Sequence, residues 1–152
     1  MDQRDSLSRL ERLLEASKVG ILTTVDTDGF PRSRWMTPTI LRGRSGTIYA
    51  VTAPQSTKCA HIRNGGRVEW FVQSRALDEV VSAIGTATLI DNPQAKAEVL
   101  ESIGPNLQIF WRTNPDARKL VVVETVLDEI SLYFPMENRR ESFVLERNHD
   151  AR

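Results

Sequence analysis

The sequence predicts a mainly β, α+β fold: an antiparallel barrel with helices at its periphery. Three observations carry the prediction. Five to seven segments read as strands, and they follow one another in hairpin order. Turn residues cluster between strands, as in Asp26-Thr27-Asp28-Gly29 and Gly43-Arg44-Ser45-Gly46. Helical segments fall in only some of the connections, whereas a parallel βαβ sheet would need them between successive strands. Closure into a barrel also removes the unpaired edges that many short strands otherwise leave.

Leu7, Leu10, Leu13 and Leu14 recur at helical spacing with Arg and Glu between them, which predicts an amphipathic helix over about residues 4–17. Val19 to Val25 reads as the first strand, and after the turn cluster a second resumes at Phe30. A third strand covers Thr47 to Thr52 and is stopped by Pro54. Ser56 or Thr57 suits the N-cap of a helix through Lys58, Ala60, His61 and Ile62. Asn64-Gly65-Gly66 ends that helix, because Asn and Gly accept the left-handed conformation. Arg67 to Gln73 is a fourth strand. Asp78 to Ile90 is a long fifth strand rich in Val, Ile and Thr, in which Gly85 marks a bend or bulge. Asp91-Asn92-Pro93 opens a helix that runs over Gln94 to Ser102 and ends near Gly104-Pro105. Leu107 to Trp111 is a candidate short helix. Lys119 to Thr125 and Glu129 to Phe134 read as two closing strands. The charged tail, about residues 138–152, has room for a short strand around Phe143-Val144-Leu145.

The 152 residues suit one domain, large enough to bury a core without metal or disulfide staples. Acidic and basic residues balance at 20 each, so no cationic field for nucleic acid arises. The single cysteine, Cys59, excludes an intrachain disulfide framework and fits a reducing compartment. The N-terminus is charged and lacks the apolar run of a signal peptide, and no stretch approaches a membrane span. These features predict a cytoplasmic protein that engages neither nucleic acid nor membrane. One cysteine with His61 and His149 cannot build a structural zinc site. No Ser/His/Asp or Cys/His pairing announces a hydrolase, and the glycine patterns of Rossmann and P-loop proteins are absent.

Two neighbouring segments concentrate the chemistry. Pro31-Arg32-Ser33-Arg34-Trp35-Met36 is a strand in which Arg32 and Arg34 face one side, Ser33 and Trp35 the other. Guanidinium groups fit phosphate oxygens and stack on aromatic rings. Thr52-Ala53-Pro54-Gln55-Ser56-Thr57-Lys58 joins a strand to a helix N-terminus, where free N–H groups attract an anion, hydroxyls add donors and Lys58 adds a charge. Together they suit a flat, aromatic cofactor that carries a phosphate. The plainer alternatives are an ordinary N-cap followed by a solvated lysine, a solvent-facing arginine pair, and a core tryptophan.

These residues resemble the FMN-binding split-barrel superfamily of pyridoxamine 5'-phosphate oxidase-like proteins, and within it the short bacterial general stress proteins. The resemblance runs from about Leu10 to Pro135. Its carriers are the stretch Gly29 to Met36, Ile48-Tyr49-Ala50-Val51-Thr52, Ser56-Thr57-Lys58 and Asn64-Gly65-Gly66-Arg67-Val68, with Lys119 to Phe134 resembling the family's closing strands. It implies a Greek-key split barrel of six or seven antiparallel strands and a homodimer with FMN in clefts between subunits. It assigns FMN contact to Arg34, the ribityl and ring edge to Trp35, Met36 and Thr37, the strand end to Val51 and Thr52, and the phosphate to Lys58. It further implies an oxidoreductase in which the flavin exchanges hydride with a small molecule such as a nicotinamide. Three departures accompany it. Thr57 stands where many relatives have Arg, Tyr133 stands where a Trp is frequent, and the substrate-binding C-terminal motif of true pyridoxamine phosphate oxidases is not recognisable. The last argues against pyridoxamine phosphate as substrate. It leaves open a flavin carrier, sensor or stress protein without turnover, and Thr57 in place of the usual Arg leaves open a barrel holding haem or a deazaflavin.

Overall fold

A computed structural model describes residues 1–146 of the chain, and His149 with the end of the charged tail lies outside the described residues. The element order is α1 (Gln3–Ser17), β1 (Gly20–Val25), β2 (Pro31–Met36), β3 (Thr47–Thr52), α2 (Thr57–Asn64), β4 (Arg67–Gln73), β5 (Val80–Ile90), α3 (Pro93–Ile103), α4 (Gln108–Thr113), β6 (Val121–Phe134) and β7 (Arg139–Val144). Short 3₁₀ turns precede β6 and β7. Asp2 and Asp5 form a reciprocal cap at the start of α1.

All seven strands join one antiparallel sheet in the order β2-β1-β4-β5-β6-β3, with β7 also pairing β6. The sheet curls on itself as a split barrel. The chain just beyond β2 reaches β3, where Thr39 and Tyr49 exchange two backbone hydrogen bonds of 2.8 Å. β6 pairs with β5 along nearly its whole length. On its other edge, its first half pairs with β3 and its second half with β7.

The two closing strands expected from the sequence are therefore one. The polar interruption at Asp128 is a bulge: Ile84 faces Glu129 and Gly85 faces Leu127, which leaves Asp128 as the extra residue. The bulge expected at Gly85 in β5 thus lies in β6, opposite that glycine, where a Cβ would collide with the Val126 carbonyl. Phe30 lies just outside β2, in the hairpin turn, where 62% of its surface is exposed.

The core has two compartments that share β3. Ile48 and Ala50 face inward with Leu10, Leu13 and Leu14 of α1, Leu22, Met36, Trp70, Val123 and Ile130. Trp70 donates its indole N–H to Thr125 Oγ1 at 3.1 Å, which satisfies the one polar atom of that buried ring. Tyr49 and Val51 face the opposite way and pack against Val99 and Ile103 of α3, Phe110 and Leu120. No helix among the described residues is long and apolar enough to cross a membrane.

Candidate functional site

The hairpin β1–β2 sets two of the site's side chains. Its register places Leu22 opposite Arg34 and Thr24 opposite Arg32. By the two-residue period of a strand, Leu22, Thr24, Arg32, Arg34 and Met36 all project toward the inner face. Leu22 and Met36 lie in the core, Thr24 is 1% exposed, and Arg34 is half-buried beyond them. The Arg34 guanidinium is held by two bonds from Nη1, to Thr24 Oγ1 at 2.7 Å and to the Leu22 carbonyl at 3.3 Å. Both use the same nitrogen, so the rest of the fork is directed away from them.

α2 supplies the second cation. Lys58 stands in its first turn and donates to Thr52 Oγ1, at the end of β3, over 2.8 Å. Ser56 occupies the N-cap, but its side chain bonds the Cys59 thiol at 3.4 Å and makes no capping bond. The first-turn N–H groups are therefore not taken by the cap side chain, and such groups attract anions. Cys59 is fully buried and donates to the Ala53 carbonyl at 3.4 Å, which marks it as a packing residue of the loop.

Arg34 and Lys58 face one cluster, since Arg34 bonds Thr24 and Thr24 bonds His61, one turn along α2 from Lys58. The Lys58 ammonium is held below its ordinary pKa, first by burial and then by the charge of Arg34. Burial likewise lowers Arg34 from its ordinary value. Among the described residues neither cation forms an ion pair with a carboxylate. Two half-buried like charges are unfavourable to each other, and an anion bonded to both would offset the cost of their burial and their repulsion.

One more side chain completes the cluster. His61 is three residues beyond Lys58, hence on the same face of α2, and its Nδ1 lies 2.7 Å from Thr24 Oγ1. Sequence reading missed Thr24 altogether and gave His61 no role. The helical spacing of Lys58 and His61 was a usable signal for the latter. The alignment of Thr24 with Arg34 needed the hairpin register.

The remaining expected residues are scattered. Arg32 is paired with Asp26 at 2.9 Å, at the hairpin end of β2. Trp35 projects to the outer sheet face, opposite to Arg34, with 40% of its surface exposed, so it is not the core residue that strand tryptophans usually are. Met36 and Val51 are buried, the first in the inner core and the second in the outer compartment. Thr37 is buried beside a small cavity lined by Leu14, Pro38, Thr39, Ser102 and Leu107. Thr57 is exposed at the start of α2. The structure thus brings together Arg34, Thr52 and Lys58, with Ser56 and Thr57 at the adjacent helix end. No group of three or more His, Cys, Asp or Glu side chains among the described residues could hold a metal ion.

Residues 7–134 match the Pyridoxamine 5'-phosphate oxidase family. Among curated proteins none matches the chain. Solved structures resemble it closely in fold. General stress protein 26 from Bacillus anthracis superposes with a TM-score of 0.70 at 19% identity, over 95% of this chain and 100% of that one. A pyridoxamine 5'-phosphate oxidase-related, FMN binding protein from Nostoc punctiforme gives 0.60 at 13% identity, over 95% of each chain. A heme binding protein from Mycobacterium smegmatis gives 0.70 at 16% identity, over 91% of this chain and 57% of that one. At these identities the likeness is one of fold.

Proposed function

This chain belongs to the pyridoxamine 5'-phosphate oxidase family, and from that premise we propose that it binds FMN by its phosphate and serves as a flavin-dependent oxidoreductase acting on a small molecule. The observation that carries the reading is the half-buried pair Arg34 and Lys58, linked because Arg34 bonds Thr24 and Thr24 bonds His61, one turn along α2 from Lys58, with no carboxylate ion-paired to either cation among the described residues. A phosphate monoester suits that pair in charge and in donor chemistry. Lys58, with Ser56, Thr57 and the first-turn amides of α2, takes the phosphate. Arg34 takes the phosphate or the ribityl end, and Thr52 lies toward the ring. When bound, the flavin supplies two-electron redox chemistry at its ring, with a nicotinamide as the candidate reductant. The protein's own contribution is to bind and orient it.

The same reading includes a cytoplasmic homodimer with the cofactor at the subunit boundary. Its support is the outer face of the sheet. Ile21 lies between Trp35 and Phe71 on paired strands, and Trp35, Phe71 and Ile84 keep 40%, 38% and 42% of their surface exposed. Clustered exposed apolar side chains mark interaction surfaces. Light scattering on the purified protein should report a dimer.

A second reading keeps the flavin without turnover, as a carrier or sensor. The observation favouring it is that the cluster offers hydrogen-bond donors but no carboxylate. One experiment separates the readings: visible spectra of purified protein, repeated after FMN addition and desalting, then after addition of a reduced nicotinamide. Retained flavin that is reduced and reoxidised by an acceptor supports the enzyme. Retained flavin without turnover supports the carrier. A Soret band moves the ligand to haem, and a colourless protein that loses added FMN removes the flavin reading.

A further inference from the structure

We propose that Thr24 and His61 are positioning residues that fix the Arg34 guanidinium for a phosphate, in a hydrogen-bond relay running from Arg34 through the Thr24 hydroxyl to His61 Nδ1. The inference rests on reading Arg34 as an anion ligand.

The direction of the relay follows from donor chemistry. A guanidinium can only donate, so Thr24 Oγ1 accepts from Arg34 Nη1 at 2.7 Å. The hydroxyl keeps one proton, and Thr24 is 1% exposed, so water does not take it. The remaining partner is His61 Nδ1 at 2.7 Å. If the imidazole donated instead, the hydroxyl would accept twice and its own proton would be buried without an acceptor. His61 Nδ1 is therefore the acceptor, and the ring proton sits on Nε2.

Three elements meet in this relay. Thr24 comes from β1, Arg34 from β2 and His61 from α2, the helix that also carries Lys58. A hydroxyl that donates becomes a better acceptor, so the bond to His61 strengthens Thr24's hold on Arg34. The Leu22 carbonyl is the second anchor of the same nitrogen. An arginine on a flexible stem gives up side-chain freedom when it binds a ligand, and one already held loses less. The relay thus serves affinity for the phosphate in particular, and it couples the α2 cation to the β2 cation through a fixed distance.

The test combines two measurements. The first is flavin titration with FMN and with riboflavin, which lacks the phosphate. Thr24→Val and His61→Leu should each weaken FMN by about tenfold and leave riboflavin unchanged. Thr24→Ser restores the hydroxyl, and His61→Asn places an oxygen where Nδ1 was, so both should recover most of the loss. In an Arg34→Ala background all four should be nearly silent. Equal losses for FMN and riboflavin, or undiminished losses without Arg34, would overturn the assignment. The second measurement needs no flavin: long-range proton–nitrogen NMR of the imidazole at alkaline pH, with the His61 signal identified by its loss in His61→Asn. Nδ1 should be the unprotonated nitrogen, and Thr24→Val should shift it. A proton on Nδ1 overturns the relay. Should wild-type protein bind neither flavin, the flavin reading falls while the NMR result still decides the relay.

Discussion

Arg32 and Arg34 leave the same strand on the same side, two residues apart, and the fold treats them oppositely. Arg32 reaches the hairpin tip, where Asp26 takes its Nε at 2.9 Å and its guanidinium lies 6.0 Å from the Phe30 ring centre. Asp26 is itself the organiser of the turn, accepting the N–H groups of Asp28 at 3.0 Å and Phe30 at 2.9 Å. Arg34 lies one pleat deeper, half-buried, with hydroxyl and carbonyl acceptors but no anion, and with Lys58 as a neighbour. The first arrangement is satisfied within the chain. The second is a cation pair whose strain an external anion would relieve. Residue type and strand parity cannot tell them apart. The difference lies in which partner the neighbouring turn or helix provides.

The sharpest way to break this contrast is to remove each arginine in turn. Arg34→Ala should weaken FMN by about 10- to 100-fold, the worth of charge-assisted hydrogen bonds to phosphate. Arg32→Ala should change it by less than about threefold, since an exposed, paired charge is screened. Fluorescence-quenching titrations decide, and equal losses would bring Arg32 into the site.

Next in size is an effect of pH. Bound phosphate favours the ammonium form of Lys58, whereas in the free protein burial and Arg34 hold that group below the ordinary 10.5. FMN affinity should therefore be level at neutral pH and fall as pH rises through the lowered value. Lys58→Arg stays charged throughout and should hold its affinity across the alkaline range. An unchanged alkaline limb in that variant would detach the effect from Lys58.

Smaller still are the effects on stability, which should have opposite signs at the two ends of the contrast. Lys58→Met removes a half-buried charge beside another and should leave the melting temperature unchanged or raise it by up to about 4 °C, while weakening FMN. Asp26→Asn should lower it slightly and leave FMN untouched. The Asp26 carboxyl is held below 3.8, chiefly by the Phe30 N–H and then by Arg32. Its contribution is thus complete above the ordinary carboxylate range and is lost as pH falls through 3.8 toward the folded value. Thermal melts across acid pH should show that portion missing in Asp26→Asn. A lower melting temperature for Lys58→Met at neutral pH would contradict the idea that the cation pair is unfavourable without its anion.

Much of the frame could be read from residue pattern. The leucine spacing of α1, the turn at Asp26–Gly29 and the stop at Pro54 each follow from local conformational chemistry. The error at β6 has the same origin. Asp128 interrupts the apolar pattern, and only pairing to β5 on one edge, with β3 and β7 on the other, shows that the strand continues through it. At the site, Lys58 and Arg34 were legible as cations suited to phosphate. That Asp26 claims Arg32, that Thr24 bonds both Arg34 and His61, and that Trp35 turns outward all depend on register and on where α2 packs. These are long-range facts that no local window contains.

The pairing of β6 has a consequence for how the chain matures. Thr24, Arg34 and His61 lie within one stretch of early sequence, and the β1–β2 hairpin that carries two of them closes through a short turn. Thr52, by contrast, is paired with Val121, and among the described residues β3 has no other strand partner except the bridge at Tyr49. The acceptor that holds Lys58 is thus anchored only after the chain has closed a loop of nearly half its length, and such long-range pairing forms more slowly than a local hairpin. During synthesis the arginine half of the cluster can take shape before β6 has left the ribosome, whereas the β3 anchor of Lys58 waits for β6.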